Sequence, residues 1–195
     1  RLAYGGRLVS QKAEGVTPLC EIDLIPSGKP QLLLIDVDGK ETIRKGTSLY
    51  NKREIKVLIR LVRMFPSESA KDIMIICLYK AQRSKLDTIL NGREWPKKYT
   101  VLSVDSAQGK EAPIVIVCTT RTEENTDLFS CINTCNVAVS RHQNALVILG
   151  KAPLLTNIHP WSTVINGNDF ARISDDEFKE ITLEALHALN ENLSS

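Results

Sequence analysis

The sequence lacks the features that mark membrane and secreted proteins. None of its apolar runs is long enough to span a bilayer, so no membrane segment is predicted. No basic and then apolar leader is present, and the chain begins at Arg1 rather than at Met, so we expect a piece of a longer protein. Its five cysteines are odd in number and irregularly spaced, which argues against a disulfide scaffold and for a reducing compartment. An intracellular protein, cytoplasmic or nuclear, is therefore expected.

The chain also has little net charge. Its formal charge is +2 over 195 residues, so any surface that binds nucleic acid must be local. With 43% hydrophobic and 25% charged residues, the composition is that of an ordinary globular protein. The length is sufficient for one sizeable domain with a packed core, or for one domain with an appendage.

The sequence signatures of a complete nucleotide-binding site are missing as well. The pairs Gly28-Lys29 and Gly109-Lys110 both lack the upstream Gly and the following Ser or Thr of a phosphate loop. No Asp-Glu pair follows a buried strand, because residues 175–177 (DDE) are predicted to open a helix, where acids suit the helix dipole. The chain alone therefore has no visible means to hold Mg²⁺ and a triphosphate.

Metal ligation and nucleophilic catalysis are not predicted either. Cys131, Cys135 and His142 supply only three ligands, and no second cysteine pair exists. The two cysteines are therefore interpreted as small buried residues, and no metal site is predicted. No serine stands in a Gly-x-Ser-x-Gly elbow, which excludes a hydrolase of that type.

Apolar runs alternate with helical patterns along most of the chain. Buried strands are predicted at residues 31–36, 72–78, 100–104, 114–119 and 145–149. Helices are predicted at residues 51–65, 80–90, 132–140 and 175–192. The first helix has Asn51 as its cap and Glu54 as the partner in a capping box. Strands that are apolar throughout and alternate with helices predict an α/β fold, with a parallel sheet covered by helices on both faces.

The pattern weakens in the last part of the chain. Residues 1–155 are therefore predicted to form the domain, and residues 156–195 an extension that ends in an amphipathic helix. Ligands of parallel α/β sheets sit at the carboxyl ends of the strands. This rule directs attention to residues 79–83, to residues 105–111 and to the residues beside Ala145.

Residues 104–111 (VDSAQGKE) place polar side chains at the edge of a buried strand. Gly109 allows a ligand to approach the backbone closely, Gln108 supplies a donor and an acceptor, and Glu111 accepts from hydroxyls such as those of a ribose. A phosphate or ribose site needs such groups, but a polar loop between a strand and a helix would contain the same residues. Both interpretations stay open on the residues alone.

Arg141 stands near the end of a short predicted helix, shortly before the strand centred on Val147. An arginine exposed at the edge of a sheet could reach a phosphate presented by another domain, as an arginine finger does. The alternative is an ordinary cation at a helix C-terminus. A lone arginine does not decide between the two.

Five short motifs occur in an order that isolated matches seldom achieve. They are residues 4–8 (YGGRL), 46–54 (GTSLYNKRE), 79–83 (YKAQR), 104–111 (VDSAQGKE) and 136–141 (NVAVSR). Together they resemble the second RecA-like domain of a superfamily 1 helicase, of the group that includes the up-frameshift helicase of nonsense-mediated decay. The resemblance covers roughly residues 4–155 and implies a RecA-like, three-layer α/β/α fold.

In that family two RecA-like domains close on ATP, and the first holds the phosphate loop and the Mg²⁺. The resemblance implies that Arg141 is the arginine finger and Arg83 a second contact to the γ-phosphate. The implied nucleotide contacts are Tyr79, Gln82, Gln108, Gly109, Lys110 and Glu111. The implied contacts to the nucleic-acid backbone are Ser48, Ser103 and Asp105. The implied partners are a single strand of RNA or DNA, the N-terminal RecA-like domain of the same protein and other proteins of an RNA-processing complex.

The chain departs from the family at several positions. Ala107 stands where the family has Phe, residues 133–135 (NTC) replace Arg-Arg-Leu, and Gln143 replaces a second arginine. We predict the C-terminal motor domain of an ATP-dependent RNA or DNA helicase, inactive without its partner domain. The thinned basic charge around Arg141 keeps a non-catalytic RNA clamp or protein-interaction module as the alternative. A nucleotide binder made of this domain alone is disfavoured, because it has no phosphate loop.

Overall fold

The computed structural model describes Leu8 and residues 19–26, 29–43, 48–92, 98–123 and 128–192, without the side chains of residues 67–68 and 185–192. Within these ranges the strands are β1 (Leu32–Asp36), β2 (Glu41–Ile43), β3 (Leu49–Asn51), β4 (Ile73–Cys77), β5 (Thr100–Ser103), β6 (Ala112–Cys118), β7 (His142–Gly150) and β8 (Ala171–Ser174). The α-helices are α1 (Lys52–Met64), α2 (Lys80–Leu90), α3 (Val104–Ala107), α4 (Ile132–Val139), α5 (Ala152–Asn157), α6 (Trp161–Asn166) and α7 (Asp175–Asn192). Short 3₁₀ segments cover Ser67–Asp72 and Leu128–Ser130. None of the described helices combines the length and apolarity needed to cross a membrane.

Six strands form one parallel sheet in the order β5-β4-β6-β7-β1-β8. The register aligns their carboxyl ends along one edge, because Cys77 is paired with both Ser103 and Cys118, and Asp36 is paired with Gly150. β2 and β3 form a separate antiparallel pair. The predicted α/β fold with a parallel sheet is confirmed.

Helices cover both faces of the sheet and complete a RecA-like, three-layer arrangement. One face packs against α1, α2 and α7 through the buried side chains of Leu58, Leu86 and Phe178. The other face packs against α3 to α6, where Ala138 and Trp161 are buried. Burial of one Leu or Phe side chain contributes about 1.5–3 kcal/mol, so these two apolar clusters hold the layers together.

The sequence sets both ends of α1. The side chain of Asn51 accepts from two amides of the first turn and so caps the helix. Leu58 and Val62 lie four residues apart on the buried face. The helix ends before Phe65 and Pro66, because a proline drives the preceding residue into extended backbone, and Phe65 has φ −79° and ψ 143°.

The structure does not follow the predicted division at residue 155. β8 pairs with β1 as the outermost parallel strand, and Phe178 of α7 is fully buried in the main core. Residues 171–174 therefore complete the sheet of the same domain. A strand of four residues with an exposed Arg172 gives too short and too polar a pattern to be predicted from sequence.

Candidate functional site

Three of the predicted site residues show that the site extends to two opposite edges of the sheet. Ser103 ends β5 at the carboxyl edge, level with Cys77. Glu111 and Arg141 each come directly before a strand, β6 and β7, so both lie at the amino edge. Both residues therefore lie at the edge opposite to the one that the strand rule predicted, because the segments before β6 and β7 run back along the sheet.

Residues 104–111 connect the two edges. The chain leaves the carboxyl edge through α3, whose Val104 and Ala107 are buried against one face of the sheet. β6 then begins at Ala112, and its seven residues span about 20 Å back to the carboxyl edge. One short segment therefore extends from one edge to the other.

The amino edge holds an open loop beside Arg141. The amide of Ala112 donates to the carbonyl of Arg141 over 3.0 Å, and Gln143 Nε2 donates to Glu111 Oε2 over 3.4 Å. Gly109 has φ +74°, which favours glycine, and a Cβ built there would meet nothing within 4 Å. The exposed residues of this loop are Gln108, Gly109, Lys110 and Glu111. A ligand can therefore approach the backbone closely.

Arg141 carries a positive charge at this edge. Its Nε and Nη2 donate to Oγ of the preceding Ser140, at 3.3 and 2.7 Å. In the part of the chain that the structure describes, no carboxylate forms an ion pair with its guanidinium. The side chain is half-buried, and a guanidinium has five N–H donors, so donors remain for an anion.

His142 anchors the start of β7. Its Nδ1 lies 3.0 Å from the carbonyl oxygen of Val139, so Nδ1 carries the proton and donates. Burial lowers the pKa of His142, against the opposing effect of that carbonyl, so the ring is neutral at neutral pH. The bond ties the last residue of α4 to β7 and holds Arg141 between two fixed elements.

Arg83 does not join this edge. It is exposed on α2, and its Nε lies 3.4 Å from the carbonyl oxygen of Val101 in β5. The register places Val101 level with Val147, and Arg141 comes six residues earlier, three strands away. Val101, which Arg83 contacts, is therefore about 20 Å from Arg141 along the strands and about 14 Å from it across them. Arg83 and Arg141 cannot contact one phosphate, so the geometry does not support Arg83 as a second γ-phosphate contact.

Tyr79 and Gln82 are interior residues. Tyr79 is 6% exposed, and Gln82 is fully buried. The side-chain oxygen of Gln82 accepts from the amide of Asn51 at 2.9 Å, and its nitrogen donates to Glu54 at 3.2 Å. Both ends of the Gln82 side chain are occupied inside the protein. The burial of these two residues therefore does not support their implied role as nucleotide contacts.

Glu54 is at the centre of the same network. Its second carboxyl oxygen accepts from the amide of Thr120 at 2.8 Å, just after β6. Burial raises the pKa of Glu54 to about 8, an effect that hydrogen bonds from Thr120, Cys118 and Gln82 oppose. Half of the predicted capping box is present: Asn51 caps α1, but Glu54 bonds to other segments. Glu54 therefore joins α1, α2 and the turn after β6.

The residues implied to contact nucleic acid include two helix caps. Ser48 Oγ accepts from the amide of Ala81 at the start of α2, at 2.9 Å. Ser103 Oγ accepts from the amide of Ser106 in α3, at 3.4 Å. Asp105 is exposed in the first turn of α3. Of the three, Asp105 has its side chain in solvent, whereas both serine oxygens already bind the backbone.

Three lysines at the carboxyl edge have no function assigned to them by the sequence motifs. Lys40, Lys80 and Lys151 each follow a strand of the sheet within four residues, after β1, β4 and β7. Lys40 and Lys80 are exposed and Lys151 is half-buried. They are spread along the edge, because β6 lies between β4 and β7 and β1 lies beyond β7. A lysine soon after a buried strand is the sequence signal that would have found them.

Cys131, Cys135 and His142 do not form a metal site. Among the described residues, no group of three or more His, Cys, Asp or Glu could hold a metal ion. The interpretation of both cysteines as buried residues is wrong for Cys131, which is exposed, and correct for Cys135. Burial raises the pKa of Cys135 to about 12, so this side chain is a neutral thiol that packs in the core.

The fold and the order of the motifs place the chain among helicase-type RecA-like domains, in the up-frameshift-like group of superfamily 1. The chain belongs to the AAA domain family AAA_12, whose profile matches residues 1–153.

The proteins similar to this chain include helicases and regulators of nonsense transcripts. The chain is 30% identical over 177 residues to the "Uncharacterized ATP-dependent helicase C05C10.2" of Caenorhabditis elegans. The aligned region covers 85% of this chain and 11% of that protein. The chain is 29% identical over 141 residues to the "Regulator of nonsense transcripts 1 homolog" of Neurospora crassa, covering 68% of this chain and 13% of that protein. The chain therefore spans little more than a tenth of the length of these relatives.

A solved structure shares the fold. The C-terminal domain of a "possible DNA helicase" from Lactobacillus plantarum WCFS1 superposes with a TM-score of 0.50 at 12% identity. The match covers 84% of this chain and 98% of that one, so the two domains correspond over nearly the whole of the solved structure.

Proposed function

We propose that this domain closes on ATP against an N-terminal RecA-like domain of the same protein, as the C-terminal motor domain of an ATP-dependent helicase. The observation that carries the proposal is the amino edge of the sheet. There Arg141 has no ion-pair partner among the described residues and adjoins the exposed loop around Gly109. An arginine held in this way suits a phosphate that another domain presents.

The residues of this edge fit a nucleotide. The backbone at Gly109 can approach a phosphate, and Glu111 can accept from ribose hydroxyls. Gln108 and Lys110 add exposed donors. ATP with Mg²⁺ would supply the phosphoryl group, and residues of the N-terminal domain would hold the ion. Arg141 neutralises the charge that develops on the γ-phosphate, an effect worth about 10³–10⁵ in turnover for arginine fingers.

The carboxyl edge fits a single strand of RNA or DNA. Lys40, Lys80 and Lys151 are spaced along it and can contact successive phosphates, which positions a strand without reading its sequence. Asp105 is exposed at the same edge. Because residues 104–111 extend from this edge to the nucleotide edge, the grip on the strand and closure on ATP are coupled through one segment.

Replacement of Arg141 in the full-length protein tests this proposal. Arg141→Ala should lower nucleic-acid-stimulated ATP turnover by about 10³-fold or more, because the developing charge is no longer neutralised. The Kd for ATP should change far less, since the contact strengthens in the transition state. Arg141→Lys keeps the charge but not the planar fork, and should also be slow. Arg172→Ala, at an exposed position of β8, is the matched control and should retain turnover. Normal turnover by the Arg141→Ala variant would contradict the role of Arg141 as an arginine finger.

A non-catalytic RNA clamp is the second candidate function. The observation in its favour is Gln143, which replaces a family arginine and bonds to Glu111 through its side-chain amide. That bond occupies part of the carboxylate proposed for the ribose. A clamp would hold single-stranded RNA without hydrolysing ATP, so turnover by the full-length protein decides between the two functions.

A further inference from the structure

A groove runs between α1, α2 and the β2–β3 hairpin, with a volume of about 790 Å³. One wall is a stripe of α1 residues at helical spacing, from Lys52 to Ile59. The opposite wall is the face of α2 around Lys85 and Ile89. None of the residues proposed above to bind nucleotide or nucleic acid lines this groove.

Four isoleucines make the groove apolar. Ile55 and Ile59 come from α1, and Ile89 of α2 is 37% exposed. Ile43, at the end of β2, is 73% exposed. Ile55 is only 7% exposed, so the apolar surface open to a partner comes from Ile43 and Ile89, together with the half-buried Ile59. Single exposed isoleucines are ordinary, but apolar side chains that line one groove leave a surface that a partner can bury.

The charge of the groove has one sign. Lys52, Lys56 and Lys85 line it, and none of the lining residues that the structure describes is Asp or Glu. The ammonium of Lys85 lies 4.3 Å from the centroid of the Tyr50 ring, so the aromatic face in the groove is already covered by a cation. An apolar groove with a lysine rim is complementary to a segment that is both apolar and acidic.

We propose that this groove binds a short acidic amphipathic helix of a partner protein. The helix would carry aliphatic residues at i, i+3 or i+4 and i+7, with Asp or Glu beside them. The stripe from Lys52 to Ile59 is about 10 Å long, which matches about two helical turns. A nucleic acid fits less well, because bases stack on open aromatic faces and that of Tyr50 is covered by Lys85. This binding site is independent of the proposed helicase function.

A displayed library of helical peptides about 15 residues long tests the proposal. The library varies aliphatic residues on one face and Asp, Glu, Lys or Ser beside them. Peptides are selected on the 195-residue chain and counter-selected on the double variant Lys56→Glu/Lys85→Glu. Enriched peptides are then synthesised with a fluorescent label, and their Kd is measured by fluorescence anisotropy.

The enriched peptides should be rich in Asp and Glu beside the aliphatic positions. Their Kd should rise at least about tenfold for Lys56→Glu/Lys85→Glu and for Ile43→Asp, because the first reverses the charge and the second places a carboxylate on the apolar surface. Ile43 is 73% exposed, so its replacement leaves the fold intact, which circular dichroism verifies. Lys179→Glu, at an exposed position of α7, is the control and should leave Kd unchanged.

Three outcomes would overturn the proposal. The selection with its counter-selection could leave no enriched peptide, the enriched peptides could be basic or uncharged, or they could bind all groove variants with unchanged Kd. Loss of binding to a labelled single-stranded RNA in the same groove variants, with no effect on the peptides, would assign the groove to nucleic acid instead.

Discussion

The backbone amide of Ala112 donates to the carbonyl oxygen of Arg141 over 3.0 Å, so the end of the exposed loop and the proposed arginine finger share one hydrogen bond. The bond lies where β6 and β7 begin as parallel neighbours, with Ala112 paired to His142. The loop and the finger are therefore positioned by the same sheet. A substitution in the loop of residues 108–111 should therefore affect the function proposed for Arg141.

We expect Gly109→Ala to be destabilising without any steric clash. Gly109 has φ +74° and open space where a Cβ would stand, so the cost is that of a left-handed backbone, about 1–2 kcal/mol. Urea unfolding of the chain measures it. Gly167→Ala is the matched control, because φ −87° at Gly167 suits any residue, and its stability should stay equal or rise slightly. Equal losses in both variants would contradict the conformational explanation.

Gln82→Leu should unfold the chain more easily, whereas Gln108→Leu should not. Removal of the Gln82 amide leaves the amide of Asn51 and an oxygen of Glu54 buried without partners, at about 1–3 kcal/mol for each group. Gln108 is exposed, so its loss costs little stability. ATP binding by the full-length protein should show the opposite order. Gln108→Leu should weaken ATP binding, whereas Gln82→Leu should not. A stable Gln82→Leu variant that fails to bind ATP would restore Gln82 as a nucleotide contact.

Much of the sheet could be predicted because its strands are buried on both faces. α2 and α7 have the predicted bounds, and the five predicted strands are correct within three residues. β7 begins three residues earlier than predicted, because its first residues, 142–144, are polar and break the apolar run. β2, β3, α5, α6 and β8 are too short to show a period.

The arrangement of the predicted site residues could not be predicted from the sequence. Residue type places Gln82 and Glu54 on the surface, yet both are fully buried, because each satisfies the other across a sequence separation of 28. The distance between Arg83 and Arg141 depends on strand order, which arises from long-range pairing and has no local signal. The resemblance implied nucleotide contacts for both Arg141 and residues 108–111, but their proximity, through the bond from Ala112 to Arg141, appears only in the structure.

The stability of the chain should fall with rising pH because of Glu54. Its pKa is raised from 4.5 to about 8, so the folded chain keeps a proton that the unfolded chain releases between these values. Stability from this group is complete below about pH 4.5 and is lost as the pH rises through about 8. Urea unfolding between pH 5 and 8 should show a smaller slope for Glu54→Gln, which does not titrate. Glu180→Gln, exposed on α7, should keep the wild-type slope, and a wild-type slope in Glu54→Gln would contradict the assignment.

The 195-residue chain by itself should hydrolyse no ATP, because its sequence contains no phosphate loop. The measurement is phosphate release with Mg²⁺ and single-stranded RNA, compared with the Arg141→Ala form of the same chain. Both should give the same background. Turnover by the wild-type chain that disappears in Arg141→Ala would mean that this domain holds a complete active site, and the two-domain proposal would be wrong.

The lysines of the carboxyl edge should determine the salt dependence of nucleic-acid binding. For a single strand, each phosphate contact contributes about 0.7 to the slope of log K against log salt. Lys80→Ala/Lys151→Ala should therefore lower the slope by about 1.4 for a labelled oligo(U), measured by anisotropy on the full-length protein. Binding should weaken equally for oligo(A), because lysines that contact phosphates read no sequence. Lys179→Ala, exposed on α7 outside this edge, should leave the slope unchanged. An unchanged slope in the double variant would place the strand elsewhere on the domain, and a loss confined to one base sequence would indicate contacts to bases in place of phosphates.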